Sequence, residues 1–251
     1  MIILKSRHEI EKMKISNRIV AGVLEEVIKK IRVGVTTIEL DRLAESVILK
    51  KGGTPAFKGY RGYPNSLCIS INEQVVHGIP SNRRLKEGDL VSIDLGVYHD
   101  GYYGDAAVTV GVGEITDEAK RLLDATQKAL YIGIEKATAG NHLSDISNAV
   151  QMYVEGEGFS VVRAFVGHGI GTSLHEEPQV PNFGEAGKGP LLKSGMVLAI
   201  EPMVNAGVSD VDVLEDDWTV VTADGSLSAH FEHTVAITDN GVEILTKVAS
   251  L

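Results

Sequence analysis

Residues 91–110 read VSIDLGVYHDGYYGDAAVTV. Val91, Ile93, Leu95 and Val97 alternate with Ser92, Asp94 and Gly96, a period of two that specifies a strand with one apolar and one polar face. His99-Asp100-Gly101 is a turn signal, so the segment folds back as a hairpin. With His99 and Asp100 as the loop, Asp94 and Asp105 stand directly opposite each other. Their Cβ atoms would then be about 4.5–5.5 Å apart, a spacing at which like charges repel. A cation between them removes that penalty. The competing reading is an exposed hairpin whose carboxylates splay into solvent.

Three further residues share this character. Glu201 ends the apolar run Val197-Leu-Ala-Ile and is followed by Pro202, which stops ladder pairing and leaves the carboxylate at a strand end. Glu232 heads the run ending at Ile237, with a histidine on either side of Phe231-Glu232. His168 lies in Gly167-His-Gly-Ile-Gly, where three glycines clear the backbone for close approach of a metal or substrate. That spacing is not the G-x-G-x-x-G of a dinucleotide loop. Carboxylates are rarely buried unless paired or bound to a cation. Four of them with one imidazole suit a site for hard or borderline divalent ions. His77 and His175, each beside Gly or Pro, are turn histidines on the bland reading and proton donors or oxyanion stabilisers on the sharp one. The residues alone reach a metal-assisted hydrolase and do not select the bond.

Net charge is −10, against nucleic acid as the main partner. Cys68 is the only cysteine, so no intrachain disulfide forms. The start MIILKSRHEI has no apolar run behind its charges, and no segment approaches the length of a membrane span. The expectation is a cytoplasmic protein with no membrane partner.

Ser6-Arg-His-Glu9 is a capping box opening a helix stopped by Gly34; Thr36-Thr-Ile-Glu39 opens a second to about Lys51. Strands are expected at 67–71, 75–78, 89–97 and 102–110. Helices at about 117–137 and 143–157 follow, then strands at 160–166, 196–204, 218–222 and 232–237. Gly34 and Gly140, Gly52 and Gly158, and Asp94 and Glu201 recur at offsets of 106 or 107 residues. The chain reads as one domain, 1–251, of two halves, roughly 1–112 and 113–251, each giving carboxylates to a shared centre.

Jointly, Lys58-Gly-Tyr-Arg-Gly-Tyr-Pro, Cys68-Ile-Ser-Ile-Asn-Glu, Val76-His-Gly-Ile-Pro, Gly88-Asp-Leu-Val-Ser-Ile-Asp, Tyr103-Gly-Asp-Ala, Gly167-His-Gly-Ile-Gly, His175-Glu-Glu-Pro-Gln-Val, Ala199-Ile-Glu-Pro-Met-Val and His233-Thr resemble the short bacterial type I methionine aminopeptidases over nearly the whole chain. The resemblance implies an α+β pita-bread fold, with two pseudo-symmetric halves of two helices and antiparallel strands and a central metal site. It implies two divalent ions per chain (Co, Mn, Fe or Zn) held by Asp94, Asp105, His168, Glu201 and Glu232. It further implies that a hydroxide bridging the two ions attacks the carbonyl of an N-terminal methionine. Glu201 would be the general base, His175 would bond the scissile carbonyl oxygen, and His77 would serve the leaving amine. Phe57, Tyr60, Tyr63, Cys68, His77, Leu174 and Trp218 would form the methionine pocket, beside His175. Implied partners are nascent polypeptide N-termini with a small second residue and a transiently bound ribosome; the enzyme would be a monomer.

Three positions depart from the family's pattern. Leu174 stands where an aromatic is usual, His230 where Gln is usual, and Asp217 where Gly precedes the tryptophan. Rival readings are a prolidase or aminopeptidase P relative, a non-catalytic interaction protein on the same fold, and a di-metal phosphoesterase. The first usually carries a large N-terminal domain, the second loses ligands, and the third needs basic phosphate clamps near the ligands.

Overall fold

In the computed structural model, which describes residues 1–247, two helices precede the first sheet: α1 (Arg7–Ile28) and α2 (Thr37–Lys50). Both open as the sequence dictates. Ser6 Oγ accepts the Glu9 N–H (3.3 Å) while the Ser6 N–H donates to the Glu9 carboxylate (2.7 Å), and Thr36 and Glu39 repeat the exchange. Such a cap contributes about 1 kcal/mol by satisfying amides that have no helical partner. Ile10, Met13, Val20, Val23, Leu24 and Val27 form the buried stripe of α1.

The strands of this half are β1 (Thr54–Pro55), β2 (Cys68–Ile71), β3 (Gln74–Val76), β4 (Leu90–His99) and β5 (Tyr102–Gly111). β4 is central, flanked by β1, β2 and β5. The second half begins with α3 (Asp117–Lys136) and α4 (Leu143–Gly156). Its strands are β6 (Ser160–Val161), β7 (Gly167–Gly169), β8 (Glu176–Val180), β9 (Val197–Ile200), β10 (Met203–Asn205), β11 (Val211–Val213), β12 (Val220–Thr222), β13 (Ser228–His230), β14 (His233–Thr238) and β15 (Gly241–Ile244). They form a sheet ordered β15-β14-β9-β7-β8 and a smaller one ordered β13-β10-β6, while β12 joins β11 to β3 of the first half. One buried apolar cluster runs through both halves, from Leu24, Leu40, Ile93 and Leu95 to Leu130, Leu198, Ile200 and Val235.

Three sequence expectations need correction. The β4–β5 loop is Asp100-Gly101, not His99-Asp100. Both loop residues have positive φ (45° and 89°), and His99 pairs with Tyr102. This is the backbone of a two-residue hairpin turn whose twist matches that of the strands. The ladder therefore sets Asp94 opposite Ala107 and Asp105 opposite Gly96, so the two carboxylates are diagonal neighbours rather than a facing pair. Second, the run expected at 196–204 is two strands, because Pro202 has no N–H to give the ladder. Third, only Ser160–Val161 of the expected 160–166 strand forms.

Candidate metal centre

Each ligand candidate comes from a different stretch of backbone. Asp94 and Asp105 lie on the polar face of β4 and β5. His168 lies on β7, Glu201 in the break between β9 and β10, and Glu232 in the step from β13 to β14. Asp105 and Glu232 are 4% and 3% exposed and His168 is 7% exposed. One ligand atom from each of these three lies within 4.8 Å of the others. His168 Nε2 is 4.0 Å from Asp105 Oδ2 and 3.7 Å from Glu201 Oε1.

The imidazole is held in one tautomer. His168 Nδ1 lies 2.9 Å from the Gly169 carbonyl, so Nδ1 carries the proton and Nε2 turns its lone pair, like those of the carboxylates, toward the centre of the cluster, where a cation would accept it. Burial, reinforced by His175, drops the His168 pKa to about 3, which keeps the ring neutral. The flanking glycines have a different cause from the one expected. A Cβ on Gly167 would lie 2.3 Å from the Ala199 carbonyl oxygen, and one on Gly169 would lie 2.3 Å from that of Glu177. They admit the neighbouring strands β9 and β8, not a ligand. Gly96, across from Asp105, is similarly explained by the Phe57 ring, whose Cε1 would be 2.8 Å from an added Cβ.

Electrostatically the cluster is incomplete without a cation. Asp94 Oδ1, Asp105 Oδ1 and Glu232 Oε1 are buried and have no hydrogen-bond partner. Burial holds the carboxyls of Asp94, Glu201 and Glu232 well above their ordinary range, and repulsion from the Asp105 charge adds to each. Burial alone raises Asp105 to about 7. Orphaned buried carboxylate oxygens and a neutral imidazole are a donor set that a divalent ion satisfies and that little else in a protein does.

The five lie at the floor of a cavity of about 260 Å³. Its walls hold the residues expected to bind or act on substrate: Phe57, Tyr60, Tyr63, Cys68, His77, Leu174, His175 and Trp218. Tyr63 donates its hydroxyl between the Leu67 and Gly78 carbonyls (2.9 Å each) and meets Trp218 edge-on. His77 adopts a left-handed backbone (φ 59°) with its ring edge-on to Phe165 and Trp218. His175 is hydrogen-bonded through Nδ1 to the Tyr60 hydroxyl (2.8 Å), and its ring centre is 4.2 Å from that of His168. Arg61 and Phe165 also line the cavity. Arg61 stands inside the motif Lys58-Gly-Tyr-Arg-Gly-Tyr-Pro without a role assigned to it, and nothing in the sequence singles out Phe165.

The departures resolve locally. Asp217 keeps the left-handed turn that Gly would make (φ 61°), and Asp216 braces it by accepting the N–H groups of Trp218 and Thr219. Leu174 is 2% exposed in the cavity wall. His230 brings Nε2 to 3.5 Å from Glu201 Oε2.

The sequence pattern of metallopeptidase family M24 matches residues 11–239. The chain belongs to that family. A methionine aminopeptidase of Clostridium perfringens is 58% identical over 248 residues, 99% of this chain and 100% of that one. The methionine aminopeptidase of Escherichia coli K12 is 47% identical over 98% of this chain and 94% of its own. Among solved M24-type structures, the methionine aminopeptidase of Thermotoga maritima superposes with a TM-score of 0.97 at 50% identity, covering 98% and 100% of the two chains. A prolidase of Pyrococcus furiosus gives 0.81 at 26% identity, and the match takes in 66% of the prolidase chain. The family and these relatives show the pita-bread fold, metallopeptidase character and a requirement for divalent metal.

Proposed function

We propose that this chain is a divalent-metal-dependent aminopeptidase that removes an N-terminal methionine followed by a small residue. The observation that carries the reading is the union of two features in one cavity. Buried carboxylates lacking partners form its floor, and a wall of Phe57, Tyr60, Tyr63, Cys68 and Trp218 suits a thioether side chain. Identity of 58% to a methionine aminopeptidase over 99% of the chain supports it, against 26% to the prolidase.

Asp94, Asp105, His168, Glu201 and Glu232 would hold two ions of Mn, Fe, Co or Zn. When bound, such ions lower the pKa of water and polarise a carbonyl, which is the chemistry of metal-assisted hydrolysis. Glu201, at a strand end beside His168 and His230, would accept a proton on its carboxylate. His175, oriented by Tyr60, would hydrogen-bond the scissile carbonyl oxygen as charge develops there. His77 would pass a proton to the leaving amine, its ring fixed by Phe165 and Trp218. The free α-amine of the substrate would meet the metal centre, hence exopeptidase action.

The apolar cluster common to both halves supports reading 1–251 as one catalytic domain. Among the described residues no helix is long and apolar enough to cross a membrane. A cytoplasmic monomer acting on nascent chains at the ribosome completes the proposal. Protein stripped with chelator and resupplied with Mn(II) or Co(II) should release methionine from Met-Ala-Ser and leave Xaa-Pro peptides intact. Cleavage of Xaa-Pro instead would place it with the prolidases.

A further inference from the structure

Asp105 and Glu232 come from different halves, and no β-ladder joins the segments that carry them among the described residues. A direct backbone bond links them, from the Glu232 N–H to the Ala107 carbonyl (2.9 Å). On either side of it the backbones are joined through a threonine hydroxyl instead. Thr234 Oγ1 donates to the Asp105 carbonyl (2.8 Å) and accepts the Asp105 N–H (3.3 Å). Thr109 Oγ1 donates to the His230 carbonyl (2.8 Å) and accepts the His230 N–H (2.8 Å).

The arrangement is reciprocal: Thr109 lies four residues after Asp105, and Thr234 four residues after His230. Each half thus grips the backbone of the other at the residue four positions before the partner threonine. Both threonines are buried, at 3% and 0% exposure. Each is itself anchored. Ser92 Oγ lies 2.8 Å from Thr109 Oγ1 and must be the donor, since Thr109 has given its one proton to His230. The Thr234 N–H donates to Thr246 Oγ1 (3.1 Å).

A hydroxyl between two backbones holds them farther apart than a direct N–H···O=C bond would, while fixing their register. That suits two like-charged carboxylates that must stay close enough to share a cation and not so close that they expel each other. We propose that Thr109 and Thr234 are positioning residues that set the placement of Asp105 against Glu232, and through it the affinity of the site for a divalent ion. This rests on the reading of Asp105 and Glu232 as metal ligands.

The test is Mn(II) binding by calorimetry to the chelator-stripped chain, with visible absorption of the Co(II) form as a second readout. Circular dichroism would confirm that each variant is folded. Thr234→Val keeps shape and removes the hydroxyl; it should weaken Mn(II) binding about 10–100-fold, as loss of a group supporting a ligand does, and alter the Co(II) spectrum. Thr234→Ser should restore both. Thr109→Val, whose grip falls on His230 rather than on a ligand, should show a smaller loss in the same direction, and it carries the test if Thr234→Val does not fold. Wild-type Mn(II) affinity in the valine variants, with affinity lost in Asp105→Asn, overturns the positioning role alone. Wild-type affinity in Asp105→Asn as well overturns the ligand assignment beneath it.

Discussion

Replacing Asp105 with Asn should stabilise the metal-free protein and destabilise it relative to wild type once metal is present. The carboxyl is buried and its pKa rises from 3.8 to about 7. Between those values the folded state holds a proton that the unfolded state releases, so stability falls as pH rises through that window and stays low above it. Lifting a carboxyl that far costs the folded ion about 4 kcal/mol. Asn is nearly isosteric and neutral, and the clamp from Thr234 bonds only the backbone of residue 105. The variant should therefore gain about 1–4 kcal/mol at pH 8 without metal, several degrees in melting temperature for a chain of this size, and almost nothing at pH 4. Saturating Mn(II) reverses the order. Ligand at 1,000 times its dissociation constant adds about 4.1 kcal/mol to wild type, enough to overtake the variant's gain, and little to a variant that has lost a ligand. Thermal melts of chelator-treated protein at pH 4 and 8, with and without Mn(II), read all four corners. A metal-free Asp105→Asn that melts below wild type at pH 8 would refute the idea that the Asp105 charge is buried at a cost that a cation must offset.

Other consequences can be measured alongside. His77→Asn, which tolerates the left-handed backbone at 77, should bind metal normally and lose about 10²–10⁴-fold in kcat. Burial, aided by His175, lowers the His77 pKa to about 4. The unfolded chain takes up that proton near 6.5, so His77 costs stability as pH falls from 6.5 toward 4. Denaturant titrations should find His77→Asn gaining on wild type over that range. Gly169→Ala would force a Cβ to 2.3 Å from the Glu177 carbonyl oxygen. It should cost about 3 kcal/mol or more, with or without metal, because the clash is with backbone that cannot turn aside. Glu201→Gln should retain the fold and lose turnover by a larger factor than His77→Asn, checked by assaying both at equal metal occupancy.

The helices were legible because their signals are local. Ser6 with Glu9 and Thr36 with Glu39 mark starts by chemistry confined to one turn. The hairpin was legible as a hairpin, and the turn was misplaced by one residue, His99-Asp100 for Asp100-Gly101. That error moves the register by two residues, and a shift of two leaves every side chain on its own face. Asp94 and Asp105 thus still share a face, which is why the metal argument survives the wrong pairing. The short strands at 176–180, 211–213, 228–230 and 241–244 were not legible. Three to five residues hold no period, and these strands exist because a neighbouring sheet edge accepts them. The glycines around His168 were visible but misread, since what they make room for is the carbonyl of a strand brought in from elsewhere in the chain. Arg61 and Phe165 needed the fold to reveal them: each lies close in sequence to a residue assigned to the site, and which neighbours turn into the cavity is decided by the backbone.

The most direct test of the account is release of free methionine from Met-Gly-Met-Met and from Met-Leu-Met-Met by protein stripped with chelator and then given Mn(II) or Co(II). The account predicts release from the glycine peptide, dependent on added metal, and none from the leucine peptide. Release that survives metal removal, or no release from the glycine peptide with either ion, would contradict it.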